Sequence, residues 1–171
     1  GNDVSSKYTR RSVAEFERIA SYIKRTVDAK KGNYMVFFPS YKMMEQVYDI
    51  FQDENQADPS CEIETLIQQP GMTEEERESF LQAFSEEVSE KRNGSLAAFC
   101  VMGGIFGEGI DLKNEQLIGA IVVGTGLPQI RNEREILMGY FEKRLGAGFD
   151  YAYRYPGMNK VLQAAGRVIR T

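Results

Sequence analysis

Histidine is absent from this 171-residue sequence, and cysteine occurs only twice. Without histidine the chain has no His-based zinc site and lacks the usual general base of enzymes. Any catalysis would therefore depend on carboxylates, Arg and Lys. Cys61 and Cys100 are too far apart for a metal-ligand spacing and stand in apolar contexts, which predicts two buried free thiols.

Long hydrophobic runs and an excess of positive charge are also missing. No apolar stretch approaches the roughly 18 residues of a membrane-spanning helix, and no signal-peptide pattern opens the chain. We therefore expect no membrane association and a cytoplasmic location. The formal net charge is -4, which argues against a polybasic nucleic-acid binder, so we expect any nucleic-acid contact to be local or shared with another domain.

The first half of the sequence alternates helix-like and strand-like patterns. A Ser12–Glu15 capping box and an apolar stripe predict a helix over 12–30. The apolar run 33–39 predicts a strand, after which Ser40 is placed to cap a second helix. The unit then repeats with a strand at 61–69 and one helix. That helix begins at a capping box formed by Thr73 and Glu76 and carries four apolar side chains: Phe80, Leu81, Phe84 and Val88.

The second half continues the alternation. The runs 95–102 and 117–124 are apolar at nearly every position, as expected for central parallel strands that are covered on both faces. A helix over about 131–145, the aromatic segment DYAYRYP and a closing helix from about Asn159 follow. The pattern predicts one α/β domain over 1–171, with a mostly parallel sheet between helices.

A glycine-rich loop, GGIFGEGIDL at 103–112, follows the strand-like run 95–102. Open parallel sheets bind ligands at the carboxyl ends of their strands, so this loop is a candidate binding segment. Two common phosphate-binding motifs are absent from the sequence. The chain has no GxxxxGK[ST] phosphate loop, and its GEG lacks the third glycine of the dinucleotide-binding fingerprint. The loop is equally consistent with a tight turn in which Asp111 caps the next element.

The segment QAAGRVIRT at the end of the chain places three polar side chains on one helical face. Gln163, Arg167 and Arg170 are spaced i,i+4 and i,i+3. The apolar residues remain for the other face: Val161, Leu162, Ala165, Val168 and Ile169. A glycine at position 166 costs a helix roughly 1 kcal/mol relative to Ala. That cost is explained if a ligand or partner approaches the helix backbone closely at this position. An isolated pair of arginines on a helix is also typical of surface ion pairs.

Four segments together resemble motifs IV, V, Va and VI of superfamily 2 helicases: FFPSY (37–41), FGEGIDL (106–112), AIVVGTGLP (120–128) and QAAGRVIR (163–170). The sequence is most similar to DinG/XPD-type DNA helicases, whose motif V reads EGID and whose motif VI reads QxxGRxxR. DEAD-box proteins begin motif VI with His-Arg, where this chain has Gln163-Ala164. The resemblance implies a RecA-like (P-loop NTPase-type) three-layer fold, and it covers the second motor lobe only.

The resemblance also implies roles for particular residues. Arg167 and Arg170 correspond to arginine fingers that reach an ATP held by the first lobe, with Gln163 near the γ-phosphate. Glu108, Gly109 and Asp111 correspond to the nucleotide side of the cleft, and Gly166 permits close approach to it. Ser40 and Tyr41 correspond to a loop that faces single-stranded DNA, although Ser40 is equally explained as a plain helix cap. Tyr151, Tyr153 and Arg154 also fit a DNA-facing aromatic surface, or simply core and rim.

By the same resemblance, ATP and Mg²⁺ bind mainly to the missing first lobe, which is the expected protein partner. Many family members carry a four-cysteine iron–sulfur cluster in that lobe, and this chain has no residues for one. The implied activity is ATP-dependent translocation on single-stranded DNA, 5′ to 3′, in repair or replication, with the fragment alone inactive. The alternatives are a noncatalytic α/β scaffold that retains the motor fold, or a stand-alone nucleotide-binding domain, which the missing phosphate motifs disfavour.

Overall fold

The computed structural model describes residues 12–58, 60, 62–106, 116–124 and 131–166. Within these ranges the structure has four strands, β1 to β4, and six α-helices, α1 to α6. In chain order the elements are α1 (Val13–Ala29), β1 (Asn33–Phe38), α2 (Tyr41–Gln56), β2 (Ile63–Ile67), α3 (Glu74–Gln82), α4 (Glu86–Lys91), β3 (Ser95–Val101), β4 (Gly119–Val122), α5 (Asn132–Leu145), a π-helical segment (Asp150–Arg154) and α6 (Tyr155–Ala165).

All pairs in the sheet are parallel, and the strand order is β2-β3-β1-β4. Every residue of β1 and β3 is buried, as predicted for strands covered on both faces. The parallel strand predicted within 117–124 is confirmed, with a four-residue ladder to β1. Its predicted central, fully covered position is not, because β4 is a half-buried edge strand of the described sheet.

The sheet separates two hydrophobic layers, because successive side chains of a strand point to opposite faces. Phe38 and Phe99 lie in one layer with apolar residues of α1 and α2. Phe37 and Cys100 lie in the other, with residues of α3, the loop after β3 and α6. The predicted three-layer α/β fold is therefore confirmed.

Side-chain caps begin the first three helices, as predicted from the sequence. Ser12 accepts a hydrogen bond from the Glu15 backbone N–H at 3.3 Å, and Thr73 forms the full capping box with Glu76. The second half of the capping box predicted at Ser12 is not seen among the described residues, and the Glu15 carboxylate pairs with Arg18 at 2.7 Å.

The single helix predicted over the third helical stretch is wrong, since the structure divides it into α3 and α4. The Ser85 hydroxyl accepts from the Val88 backbone N–H at 3.4 Å and starts a new helix there. Between the two helices, Phe84 is fully buried, whereas Val88 is 36% exposed. The apolar spacing predicted the burial of Phe80 and Phe84 but not the break.

The closing helix also begins earlier than predicted, at Tyr155 rather than Asn159, and follows the π-helical segment without a loop. Pro156 stands in its first turn, where a missing backbone N–H costs no hydrogen bond. Upstream, α5 ends as predicted at Gly146, which adopts a left-handed φ of 62°.

Candidate functional site

The carboxyl ends of β1 and β3 lie side by side at one edge of the sheet, with Phe38 in register with Val101. Ser40 and Tyr41 follow β1 directly, and the predicted glycine-rich loop follows β3. The topology therefore brings together the starts of two segments that are far apart in the sequence. This edge is where parallel α/β sheets bind ligands.

Ser40 and Tyr41 occupy the start of α2 at this edge, and both are half-buried. The Ser40 hydroxyl accepts from the Met43 backbone N–H at 3.4 Å, so it serves as a helix cap. The Tyr41 hydroxyl accepts from Gln68 Nε2 at 2.9 Å. Partial burial raises the pKa of the Tyr41 phenol, and the hydrogen bond from Gln68 partly offsets that effect.

The glycine-rich loop leaves β3 through a tight turn. The Met102 backbone N–H bonds to the Phe38 carbonyl at 2.8 Å and the Gly104 N–H to the Val101 carbonyl at 3.1 Å. Gly103 has a φ of 71°, which a side chain would strain. Phe106 then fixes the loop to the core, because its buried ring stacks on Phe80 at a centroid distance of 4.2 Å. The predicted site residues Glu108, Gly109 and Asp111 lie outside the described residues.

Helix α6, which carries the start of the predicted motif VI, passes beside this loop. A Cβ added to Gly103 would lie 3.3 Å from Lys160 Cε. The buried Ala164 and the half-buried Val161 pack into the core layer that also holds Phe106. These contacts place the helix at the same edge of the sheet as Tyr41 and the loop.

The described part of motif VI only partly follows the predicted faces. Gln163 is exposed, as a side chain that meets a partner should be, but Leu162 is 61% exposed instead of lying on an apolar face. Leu162 points outward because the buried contacts of α6 run through Gly157, Val161 and Ala164.

Gly166 follows the last residue of α6 with a helical φ of -61°. A Cβ there would lie 3.1 Å from the Leu162 carbonyl oxygen, which is a tight contact within the same helix. Arg167 and Arg170 lie outside the described residues, so the shared face that they are predicted to form with Gln163 stays a prediction.

The structure adds three polar side chains that sequence reasoning missed. Gln68, only 2% exposed, follows β2, and the mixed polar and apolar sequence 61–69 gave no sign of a buried amide. Arg77 and the loop residues Gly103 and Gly104 line an open cavity of about 430 Å³. Arg77 Nε is buried with no hydrogen-bond partner among the described residues. Arg77 Nη1 pairs with Glu74 at 3.3 Å, and Lys160 lies near Gly103 on the other flank of the loop.

The cysteine prediction is confirmed for Cys100, which is a buried free thiol whose pKa burial raises well above its ordinary value. Cys61 lies outside the described residues. Within the described ranges no cluster of three or more acidic, His or Cys side chains could hold a metal ion. None of the helices in those ranges is long and apolar enough to cross a bilayer.

The parallel sheet, its two helical layers and the convergence of loops at one sheet edge define a RecA-like α/β lobe. A solved XPD helicase structure superposes with a TM-score of 0.68 at 23% identity, covering 98% of this chain and 28% of that one. Residues 23–171 match the helicase C-terminal domain family. The chain belongs to this family, and its motifs place it with the DinG/XPD-type superfamily 2 helicases.

Two curated relatives agree with this assignment. The ATP-dependent DNA helicase XPD of Sulfolobus acidocaldarius is 26% identical over 174 residues, which cover 99% of this chain and 28% of that protein. The regulator of telomere elongation helicase 1 homolog of Drosophila virilis is 27% identical over 144 residues, covering 80% of this chain and 14% of that protein. The chain thus spans less than a third of the length of these relatives.

Proposed function

We propose that residues 1–171 form the C-terminal motor lobe of an ATP-dependent DNA helicase, which couples ATP hydrolysis to translocation on single-stranded DNA. One structural observation carries the proposal: the starts of motifs IV and V and the helix of motif VI meet at the carboxyl edge of one parallel sheet. Family membership and the names of the relatives, which include ATP-dependent DNA helicases, support the same conclusion.

On the nucleotide side, we assign the arginine-finger role to Arg167 and Arg170, with Gln163 beside them. Glu108, Gly109 and Asp111 belong to the same side, and Gly166 keeps the helix backbone accessible. ATP and Mg²⁺ bind mainly to a first RecA-like lobe elsewhere in the parent protein, as does any iron–sulfur cluster. An always-cationic, planar guanidinium stabilises the charge that spreads over the transferred phosphoryl group.

On the DNA side, we assign single-strand contacts to Ser40 and Tyr41 at the start of α2. Arg77 and Lys160 flank the beginning of the neighbouring loop with positive charge. Because Arg77 also pairs with Glu74 at 3.3 Å and the net charge is -4, we expect this edge to bind DNA weakly by itself and to share the contact with another domain. By family resemblance we propose 5′ to 3′ translocation and duplex unwinding in DNA repair or replication.

ATP hydrolysis by the full-length protein, with and without single-stranded DNA, tests this function. We expect DNA to stimulate the wild type and Arg167→Ala to bind ATP but lose turnover by roughly a thousandfold or more. Arg18→Ala is the matched control, since Arg18 lies on α1 and pairs with Glu15. We expect it to retain the wild-type rate.

A different result would favour the alternative of a noncatalytic scaffold. If Arg167→Ala hydrolyses ATP as fast as the Arg18→Ala control, the polar face of motif VI is structural. If the wild type shows no ATPase activity with any single-stranded DNA, the motor assignment itself fails. We expect the isolated chain to hydrolyse no ATP, because it has no GxxxxGK[ST] phosphate loop.

A further inference from the structure

Gln68 is a buried amide at the same sheet edge, and its three hydrogen bonds connect separate elements. Its backbone N–H donates to the Phe99 carbonyl at 2.9 Å. Its side-chain Oε1 accepts from the Val101 N–H at 2.9 Å, and its Nε2 donates to the Tyr41 hydroxyl at 2.9 Å. One side chain therefore joins the ends of β2 and β3 to the start of α2.

The position of Gln68 in the ladder explains why an amide is needed. After Ile67, β2 ends, and the side-chain carbonyl of Gln68 satisfies the N–H of Val101, the last residue of β3. A buried backbone N–H left without a partner costs about 1 to 3 kcal/mol. An aliphatic side chain of the same length would leave that donor unsatisfied.

The Val101 N–H also fixes the direction of the contact with Tyr41. A backbone N–H only donates, so the amide atom that faces Val101 is the carbonyl oxygen and the atom that faces Tyr41 is the NH₂ group. The Tyr41 oxygen therefore accepts the hydrogen bond, and its own hydrogen is left to donate to a ligand. No acceptor for that hydrogen is found among the described residues.

The glycine-rich loop begins directly on this amide. A Cβ added to Gly104 would lie 3.0 Å from Gln68 Nε2 and 3.1 Å from the Val101 carbonyl oxygen. The loop backbone thus packs against the group that orients Tyr41. The Gln68 side chain therefore lies between Tyr41 and the start of the loop and contacts both.

We propose that Gln68 is a positioning residue that holds the Tyr41 hydroxyl toward the DNA backbone and links it to the start of the loop at 103–112. This inference rests on the proposed motor function. Gln68 itself touches neither DNA nor nucleotide. It keeps the hydroxyl hydrogen of Tyr41 available to a phosphate oxygen, and its contact with Gly104 holds the start of the loop beside that hydroxyl.

The test measures, in the full-length protein, the concentration of single-stranded oligo-dT that half-maximally stimulates ATP hydrolysis. Gln68→Met removes both side-chain hydrogen bonds at similar volume, and we expect it to raise that concentration roughly tenfold. The rate at saturating DNA should stay within about twofold of wild type. Gln69→Met is the matched control, because Gln69 is the exposed neighbour, and we expect it to behave like the wild type.

A double-mutant cycle with Tyr41→Phe separates positioning from a purely structural role. We expect the half-maximal DNA concentration of the double variant to be no higher than that of the single variant with the larger defect, because both changes interrupt the same link. Additive effects would overturn the proposal, as would a Gln68→Met protein with wild-type DNA response. If Gln68→Met fails to fold, Gly104→Ala, which crowds the amide from the loop side, takes its place in the cycle with the same expectation.

Failure of this inference is distinguishable from failure of the proposed function. If wild-type ATPase does not respond to DNA, the motor assignment fails before any variant is made. If the wild type responds and the Gln68 and Gly104 variants match it, only the positioning role is wrong.

Discussion

The sheet-forming part of the chain and the helical segment 131–166 are stabilised in different ways. In the sheet, Phe99 is fully buried and its ring contacts those of Phe38, Tyr48 and Phe51. In α5 no residue is buried, and Ile136 is 73% exposed. The first region is held by close packing of apolar side chains, whereas α5 has no comparable core among the described residues.

Local contacts hold α5 to the segment that follows it. Arg134 Nη1 donates to the Ala152 carbonyl at 2.9 Å, and the Tyr153 hydroxyl donates to Glu135 at 2.5 Å. The rings of Phe141 and Tyr151 stack at 4.5 Å. Elements held by few buried contacts open at lower free energy than a packed core, so the two regions should differ in local stability. The helix α6 joins them, since its Ala164 is buried in the core.

The largest expected effect is on the packed core. Phe99→Ala should lower the free energy of unfolding by about 3 to 5 kcal/mol, because it leaves a cavity among three aromatic rings. Urea denaturation measures this change. Ile136→Ala on α5 is the control, and its effect should stay within about 0.5 kcal/mol. Equal losses at the two sites would contradict the difference that we draw between the regions.

Two glycines give the next contrast. A Cβ on Gly119 in β4 would lie 2.5 Å from the Tyr34 ring, whereas among the described residues nothing lies within 4 Å of a Cβ on Gly139 in α5. Gly119→Ala should therefore destabilise by about 1 to 3 kcal/mol through overpacking. Gly139→Ala should stabilise by roughly 0.5 to 1 kcal/mol through its higher helix propensity. Thermal unfolding of both variants would show shifts of opposite sign, and a stabilising Gly119→Ala would disprove the close contact.

A smaller effect concerns the surface ion pair of the first region. Asp58 bonds to Lys24 at 2.7 Å, and the hydrogen bonds from Lys24 and then Ser60 lower the pKa of its carboxyl from 3.8 to about 2. Because the folded-state pKa is depressed, this contribution to stability is present above pH 4 and is lost as pH falls toward 2. Titration followed by NMR should give a midpoint near 2 in the wild type. In Lys24→Met the midpoint should move toward 3.8, and an unchanged midpoint would exclude Lys24 as the main cause.

The smallest expected effect lies at alkaline pH in the second region. The hydrogen bond to Glu135, followed by burial, raises the pKa of Tyr153 above its ordinary value of 10.0. A raised folded-state pKa means that this contribution is present below pH 10 and is lost as pH rises through the folded value. Phenolate absorbance at increasing pH should show late-titrating tyrosines, and Glu135→Gln should shift one of them, Tyr153, to lower pH. A titration that is the same in both proteins would show that this bond does not hold α5.

Much of the fold followed from local patterns. Apolar runs predicted β1 and β3, and the spacing of Thr73 and Glu76 predicted where α3 begins, because side-chain periodicity and helix capping act over a few residues. The break at Ser85 was not predictable in the same way, because its apolar spacing continued through the break. The edge position of β4 within the described sheet depends on strand order, which no local pattern specifies.

In the candidate site, too, some residues were identified from the sequence and others only from the tertiary structure. The motif residues Ser40 and Tyr41 were identified from their order along the chain, and the structure placed them beside the start of the glycine-rich loop. Gln68 was not identified, because a glutamine after a strand is usually exposed and only the three-dimensional arrangement buries it between Val101 and Tyr41. A buried amide is recognised by its partners, and those partners are distant in the sequence.

The sequence by itself determined the α/β class, the starts of the first three helices and the helicase family, because periodicity, capping and ordered motifs depend on neighbouring residues. The tertiary structure decided which strand lies at the edge, which face of α6 is buried and that Gln68 joins Tyr41 to the glycine-rich loop. These features depend on contacts between residues distant in sequence, and such contacts exist only when parallel strands align their carboxyl ends.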